Sequence, residues 1–315
     1  MTLQLGFHIG QQNLSFTELR SLWQRLDQQG ADWISLWDHL YEAPPANGTQ
    51  DHFEAVSLLG ALAADTSKAR IGCLVFYVGY RNPALLAKIA ATLDHISEGR
   101  FELGLGVGWH SQEAHAFGYD FPGIGARLDM LDEAAAIIRS MLSQPRTDFS
   151  GHYFSVHQVS NLPVPQQPEL PLWIGGLGEQ KTLKIVAEHA SGWNAAYVSP
   201  TDFGRLNGVL NDWCDRLGRD PKSIRRSVNL SFHLSLSSKA LQAERTRISA
   251  DWGAGAARIE AGSLLCLPNE AVDRILDYRE QGAEQINVAL RAPWQAEALD
   301  CYLDQVMPAI RAATD

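Results

Sequence analysis

The residues of this 315-residue chain that could carry chemistry are a handful of histidines and two glycine-rich turns. His39, preceded by Asp38, is the sharpest titratable candidate. An imidazole with an ordinary pKa near ~6.5 exchanges protons close to neutrality. Adjacency alone does not make Asp38 its partner, because neighbours on an extended strand point to opposite faces. His8, His110 and His115 are weaker candidates, and a purely structural role competes for every one of these histidines. Gly104-x-Gly-x-Gly108 has neither the spacing nor the position of a dinucleotide fingerprint, so it marks backbone that something approaches closely, a flat ring being one candidate. Gly175-Gly-x-Gly178 is expected to open a helix running to His189, whose first N–H groups could hold an anion without a basic side chain. A plain tight turn is the competing reading, and Arg81 is a second candidate for the anion. Trp37, Phe76, Tyr77, Tyr80, Trp109 and Trp193 crowd the same segments, as core packing or as walls for a large, flat, partly apolar cofactor. No metal site is expected, because His8-Ile-Gly lacks a second histidine or carboxylate at chelating spacing. Neither a Gly-x-Ser-x-Gly elbow nor a Walker loop occurs.

These candidates share a position, which becomes plain from the elements that must hold them. Buried strands are expected at 3–9, 33–37, 70–78 and 101–105, and further on at 172–174, 192–196, 227–234 and 285–290. Amphipathic helices are expected at 16–30, 53–64 and 83–96, the last with Pro83 in its first turn and Gly99 as terminator. Strand–helix alternation implies right-handed βαβ units and a parallel sheet, and eight strands favour an α/β (β/α)8 TIM barrel with insertions over an open sheet. In such a barrel the active site lies at the C-terminal ends of the strands, where the candidate residues fall. The proline-rich stretch at 149–171 is expected as one insertion, with Gly151-His-Tyr-Phe154 turning into a short strand, and 250–267 as another. The expectation is one barrel domain over 1–315.

Composition removes several classes of function. The formal charge is −10, which argues against nucleic acid or an anionic membrane as partner. No apolar run approaches the ~20 residues a membrane helix needs, and no secretory signal is expected in the first 19 residues. Cys73, Cys214, Cys266 and Cys301 have no paired spacing, so buried free thiols are expected. Together these point to a soluble cytoplasmic protein. A barrel hydrolase or lyase would need a metal or paired carboxylates at the strand ends, and neither is found.

Several segments in combination identify a family. Leu5-Gly-Phe-His-Ile-Gly-Gln-Gln12, Trp37-Asp-His-Leu-Tyr41 and the run from Tyr80-Arg-Asn-Pro to Ser97-Glu-Gly-Arg100 resemble the bacterial luciferase-like monooxygenase superfamily. So do Leu103-Gly-Leu-Gly-Val-Gly-Trp109 with Glu113, Gly125-x-Arg127-x-Asp129 and Pro171-Leu-Trp-Ile-Gly-Gly176. The resemblance covers about residues 3 to 290. It implies the insertion-bearing barrel, a homodimer, a small organic substrate, and either FMN or the deazaflavin coenzyme F420 as cofactor. The Asp-His pair looks more like the deazaflavin branch, an F420-dependent oxidoreductase moving a hydride. The alternatives are an FMN-dependent monooxygenase and a flavin-binding protein without catalysis. By this likeness His39 is the catalytic candidate, and Asp38, Val75, Phe76, Tyr77, Gly108 and Trp109 flank the ring. Gly175, Gly176 and Gly178 hold its phosphate. The family often has a cis peptide in strand three, for which Leu74–Val75 is the place. Bulky Phe76 and Tyr77 replace the small hydroxyl residues often found there, and would narrow the ring site or stack in it.

Overall fold

The computed structural model describes residues 2–42 and 48–314. The chain opens with β1 (Gln4–Ile9), α1 (Phe16–Gln28), β2 (Trp33–Leu36), α2 (Ala55–Asp65), β3 (Arg70–Cys73), β4 (Phe76–Tyr77), α3 (Pro83–Ile96) and β5 (Phe101–Gly106). Then come α4 (Ser111–Ala116), α5 (Ile124–Ser143), β6 (Thr147–Ser150), β7 (Ser155–Val159), β8 (Leu172–Gly175), α6 (Thr182–His189) and β9 (Gly192–Ala196). The last part holds α7 (Pro200–Leu217), β10 (Arg225–Phe232), α8 (Ser238–Trp252), α9 (Ala256–Ala261) and β11 (Ser263–Leu264). It ends with α10 (Pro268–Glu280), β12 (Gln285–Leu290), α11 (Ala296–Cys301) and α12 (Met307–Thr314). Local chemistry sets the helix starts. Ser15 and Glu18 form a reciprocal capping box on α1, and Asn82 caps α3 directly before Pro83.

Strands β1, β2, β3, β5, β8, β9, β10 and β12 pair in parallel in that order, and β12 returns to β1, so the sheet closes as an eight-stranded barrel. Expected strand three is two strands, β3 and β4, separated by a cis Leu74–Val75 peptide. Pairing to β5 lapses there because Val75 turns its side chain inward. A Cβ on Gly106 or Gly175 would stand 2.3 or 2.9 Å from that side chain.

The barrel interior is filled from the bottom. Glu102, with no exposed surface, accepts hydrogen bonds from the Trp173 indole and from the guanidinium groups of Arg70 and Arg225. Trp33 and Trp173 pack above this cluster, their ring centroids 5.8 Å apart. A polar layer adjoins them: Asn194 donates to Ser227 (2.8 Å) and to Asn229 (3.0 Å), and Asn287 also donates to Asn229 (3.0 Å). Satisfied amides of this kind avoid the cost of burying polar groups unpaired.

Two segments depart from the barrel. β6 and β7 form an antiparallel hairpin, joined by the expected Gly151–Phe154 turn. The prolines after it lie along α3, where Asp94 accepts the N–H groups of Gln166 (2.7 Å) and Gln167 (3.1 Å). The second excursion starts earlier than the expected 250–267 and is mainly helical, beginning with α8 at Ser238. α8 buries only Ile248 among its fifteen residues, so it carries no apolar stripe by which a helix could be read. Of the four cysteines, all free, Cys73, Cys214 and Cys266 are buried and Cys301 is partly so. No helix among the described residues is long and apolar enough to cross a membrane.

An ion cluster ties α8 to the rim. His233, beyond the end of β10, lies 2.7 Å from Glu244, which also accepts from Arg247 at 3.0 Å. The His233 hydrogen bond leads in holding the Glu244 carboxyl down, from 4.5 to about 2. A depressed carboxyl stabilises the fold above its unfolded pKa and loses that contribution as pH falls towards the folded value. The stability difference between wild type and Glu244→Gln, followed by denaturant unfolding, is therefore expected to shrink as the pH falls from 4.5 to about 2. A difference independent of pH would show that the cluster does not anchor α8.

Candidate active site

The C-terminal ends of the strands gather the candidate residues, each placed by a local device. His8, on β1 opposite Ser35 of β2, places its Nδ1 2.9 Å from the serine hydroxyl. Burial first, and nearby His39 second, push its pKa down to about 3, so it stays neutral. The end of β2 is pinned by Gln11, whose amide donates to the Trp37 carbonyl at 2.6 Å and accepts the Trp37 N–H at 3.3 Å. Gly10 is required beside it, since a Cβ there would stand 2.3 Å from the Trp37 ring. The indole of Trp37 donates to His52 at 2.9 Å.

Asp38 and His39, just beyond the end of β2, engage different partners. Asp38 is buried, accepts the Tyr77 N–H at 3.1 Å and takes both contacts of one Arg81 nitrogen, at 2.7 and 2.8 Å. Burial outweighs Arg81 and raises its carboxyl to about 6. The other terminal nitrogen of Arg81 donates to Glu54 at 2.8 Å. Arg81 is therefore committed to two carboxylates and does not serve as the anion site that its sequence position suggests.

His39 turns the other way, its side chain 21% exposed, with Nδ1 3.0 Å from Glu113 Oε2. Glu113, on α4, is almost fully buried and accepts the Tyr41 N–H at 3.1 Å and the Tyr80 hydroxyl at 2.5 Å. Burial works against its charge. The donors His39, Tyr80 and Tyr41 prevail, and the carboxyl lies below its ordinary range. Trp109 stands over His39 with ring centroids 5.2 Å apart and remains 58% exposed. His110 follows, 6.1 Å from the His39 ring, and burial lowers its pKa.

The glycine turns do what their sequence pattern suggests for close approach. A Cβ on Gly104 would lie 2.2 Å from the Cys73 carbonyl, and one on Gly108 (φ +65°) 2.8 Å from the Tyr77 ring. Val75, seated among Gly104, Gly106 and Gly175, stays partly exposed and presents an apolar surface at the ends of β5 and β8. Phe76 has no exposed surface and lies under Arg81, while Tyr77 packs against Tyr80 and Phe121. Both side chains belong to the core, so they neither stack in the mouth nor narrow it. Around Gly176 the expected helix starts later, at Thr182, because the Gly176 N–H is used by the Asn194 carbonyl (3.2 Å) and a turn intervenes. Gly176 and Gly178 fold tightly over Thr182, where Cβ atoms would come within 2.9 and 2.7 Å of its side chain.

Sequence reasoning did not single out Glu113 as the partner of His39, nor Tyr80 as a hydroxyl donor. The signal for Glu113 was slight: a carboxylate in the first turn after Gly108-Trp-His, where an acidic residue also suits a helix start.

A closed parallel barrel with an imidazole–carboxylate pair, an exposed indole and an apolar seat at its mouth defines a class of small-molecule enzyme scaffold. Residues 3–306 match the luciferase-like monooxygenase family, and the chain belongs to it. It is 30% identical to the pyrimidine monooxygenase RutA of Acinetobacter baylyi, over 65% of this chain and 57% of that one. It is 25% identical to an F420-dependent glucose-6-phosphate dehydrogenase of Microbacterium testaceum, over 98% of both chains. Several curated relatives are matched over only 56–57% of their own length. Among solved structures, an F420-dependent secondary alcohol dehydrogenase in complex with an F420-acetone adduct superposes with a TM-score of 0.86 at 19% identity, over 98% of this chain and 99% of that one. That likeness concerns the fold.

Proposed function

We propose that this protein is an oxidoreductase that transfers a hydride between coenzyme F420 and a small organic substrate. The observation that carries the reading is His39, held through Nδ1 by the buried carboxylate Glu113 beside the exposed Trp109. The full-length similarity to an F420-dependent dehydrogenase supports the choice of cofactor.

The residues fit a planar cofactor. Val75 supplies a partly exposed apolar seat, Trp109 a free aromatic face, and Gly176 and Gly178 a turn in which side chains would collide with Thr182. In this reading Val75, Gly108 and Trp109 border the ring, while Gly175, Gly176, Gly178 and the start of α6 hold its phosphate. Asp38 serves the ring only indirectly, by fixing the strand end through Arg81 and the Tyr77 N–H. When bound, the deazaflavin supplies a ring carbon that accepts or donates a hydride.

The chain supplies the proton chemistry. With Nδ1 engaged by Glu113, His39 offers Nε2 to the substrate's exchangeable proton. Glu113, already ionised, stabilises the imidazolium that forms. His8 and His52 do not compete for that proton, because burial lowers their pKa values to about 3 and about 4. The reading further places a single barrel domain in the cytoplasm, as a homodimer, with no nucleic-acid or membrane partner. The net charge of −10 argues against nucleic acid or an anionic membrane as partner.

The similarity to RutA favours a second reading, an FMN-dependent monooxygenase using molecular oxygen. Titrating the purified protein separately with F420 and FMN, with fluorescence and calorimetric readouts, distinguishes them. Micromolar binding of F420 with FMN at least tenfold weaker is expected. The reverse order would transfer the assignment to FMN, and binding of neither would refute both readings.

A further inference from the structure

Tyr80 lies three residues beyond the end of β4, and its hydroxyl reaches one oxygen of the carboxylate that holds His39. Tyr80 donates to Glu113 Oε1 at 2.5 Å. The Tyr41 N–H meets the other oxygen at 3.1 Å, and His39 Nδ1 lies 3.0 Å from that oxygen and 3.3 Å from Oε1. Two fixed donors on opposite oxygens define the plane of a carboxylate and leave it little freedom to turn. The Tyr80 ring is itself gripped, 4.8 Å from Tyr77 and 4.7 Å from Tyr119. Tyr80 is buried, so water is a poor substitute for its hydroxyl. A phenol so placed also stays a donor, because burial, followed by the Glu113 contact, drives its pKa far up.

We propose that Tyr80 is a positioning residue that sets the tautomer of His39: its hydroxyl orients Glu113 as an anion facing Nδ1, so that the neutral imidazole carries its hydrogen on Nδ1 and presents a bare Nε2 to the mouth. The inference extends the function proposed above. It assigns no role to Tyr80 in touching substrate or cofactor. The choice of tautomer is a general requirement, since only one ring nitrogen can accept a proton and the hydrogen bond at the other decides which. The next residue, Arg81, acts on the same strand end from the other side through Asp38. Two consecutive side chains thus brace the two faces of Asp38-His39.

The test uses the full chain, 15N-labelled on histidine and free of added cofactor, so that its outcome does not depend on the redox reading. Long-range proton–nitrogen spectra separate protonated from bare ring nitrogens, and the His39 signals are assigned by their loss in His39→Gln. In wild type, the neutral form of His39 is expected with Nδ1 protonated and Nε2 bare. Tyr80→Phe keeps the ring and removes only the hydroxyl. Its His39 nitrogens are expected to move towards each other as the tautomer preference falls at least threefold. Glu113→Gln should produce a shift of the same kind, and the Tyr80→Phe/Glu113→Gln double variant should differ little from Glu113→Gln alone. Turnover, measured with whichever cofactor binds, should fall about tenfold in Tyr80→Phe with KM little changed. A Tyr80→Phe protein that melts like wild type and keeps the wild-type tautomer would overturn the proposal. So would additive effects in the double variant, because they would mean that Tyr80 acts other than through Glu113. If the tautomer responds as expected but neither F420 nor FMN binds, the assignment of function fails and the role of Tyr80 stands.

Discussion

Replacing His39 with Ala is expected to lower turnover by about 10² to 10⁴-fold, the range found for loss of a positioned general acid or base, and to leave cofactor affinity nearly unchanged. The separation of the two effects follows from the site. The imidazole is polarised by a buried carboxylate, whereas binding surface is offered by Val75, Trp109 and the turn ahead of α6. Losing one imidazole removes little apolar area. It also leaves Glu113 with the Tyr80 and Tyr41 donors, so the carboxylate is not stranded. Steady-state kinetics set beside a binding titration check this. Unchanged turnover would remove His39 from the mechanism. A loss of affinity equal to the loss of turnover would make it a binding residue instead.

The second large effect lies at the opposite end of the barrel and concerns stability. Glu102→Ala is expected to cost ~3–5 kcal/mol, the magnitude for removing one partner of a buried ion cluster. Three groups lose their acceptor at once: the Trp173 indole and the guanidinium groups of Arg70 and Arg225. The two arginine side chains are 30% and 31% exposed, so water recovers part of their solvation and the lower end of the range is expected. Trp173 has no exposure and recovers none. Glu102→Gln keeps an acceptor but loses the charge, and should cost less. Urea unfolding of the three proteins tests the order wild type, Gln, Ala. An alanine variant as stable as wild type would mean that the cluster contributes nothing net. His39→Ala should leave the unfolding midpoint nearly unaltered, which keeps the two predictions independent.

Much of the barrel was legible because its signals are local. Each βαβ unit repeats a short apolar strand and an apolar helix stripe, and Pro83 and Ser15 announce helix starts within a few residues. Where that locality failed, so did the reading. α8 lacks an apolar stripe and passed unnoticed, and the strand expected at 70–78 is interrupted at Val75 by packing against glycines of two other strands. Phe76 and Tyr77 looked like walls of the mouth because aromatic character is visible in a sequence and facing direction at an interrupted strand is not. Alternation would have placed Phe76 correctly had the break between β3 and β4 been known.

The sequence by itself determined the family, the closed parallel barrel and the location of His39 at a strand end, since all three rest on residue type and short-range order. Tertiary structure decided the chemistry around it. Glu113 is 74 residues from His39 in the chain, and Tyr80 is 33 from Glu113. Lateral pairing of β2 with β3, and of β3 and β4 with β5, sets these strand ends side by side, close enough for the three to bond. The same pairing of neighbouring strands set Arg81 against Asp38 and Glu54, turning an apparent anion receptor into a brace. Side-chain partnerships between strand ends leave no periodic trace in a sequence, because each is fixed by where distant strands meet and not by what stands next along the chain.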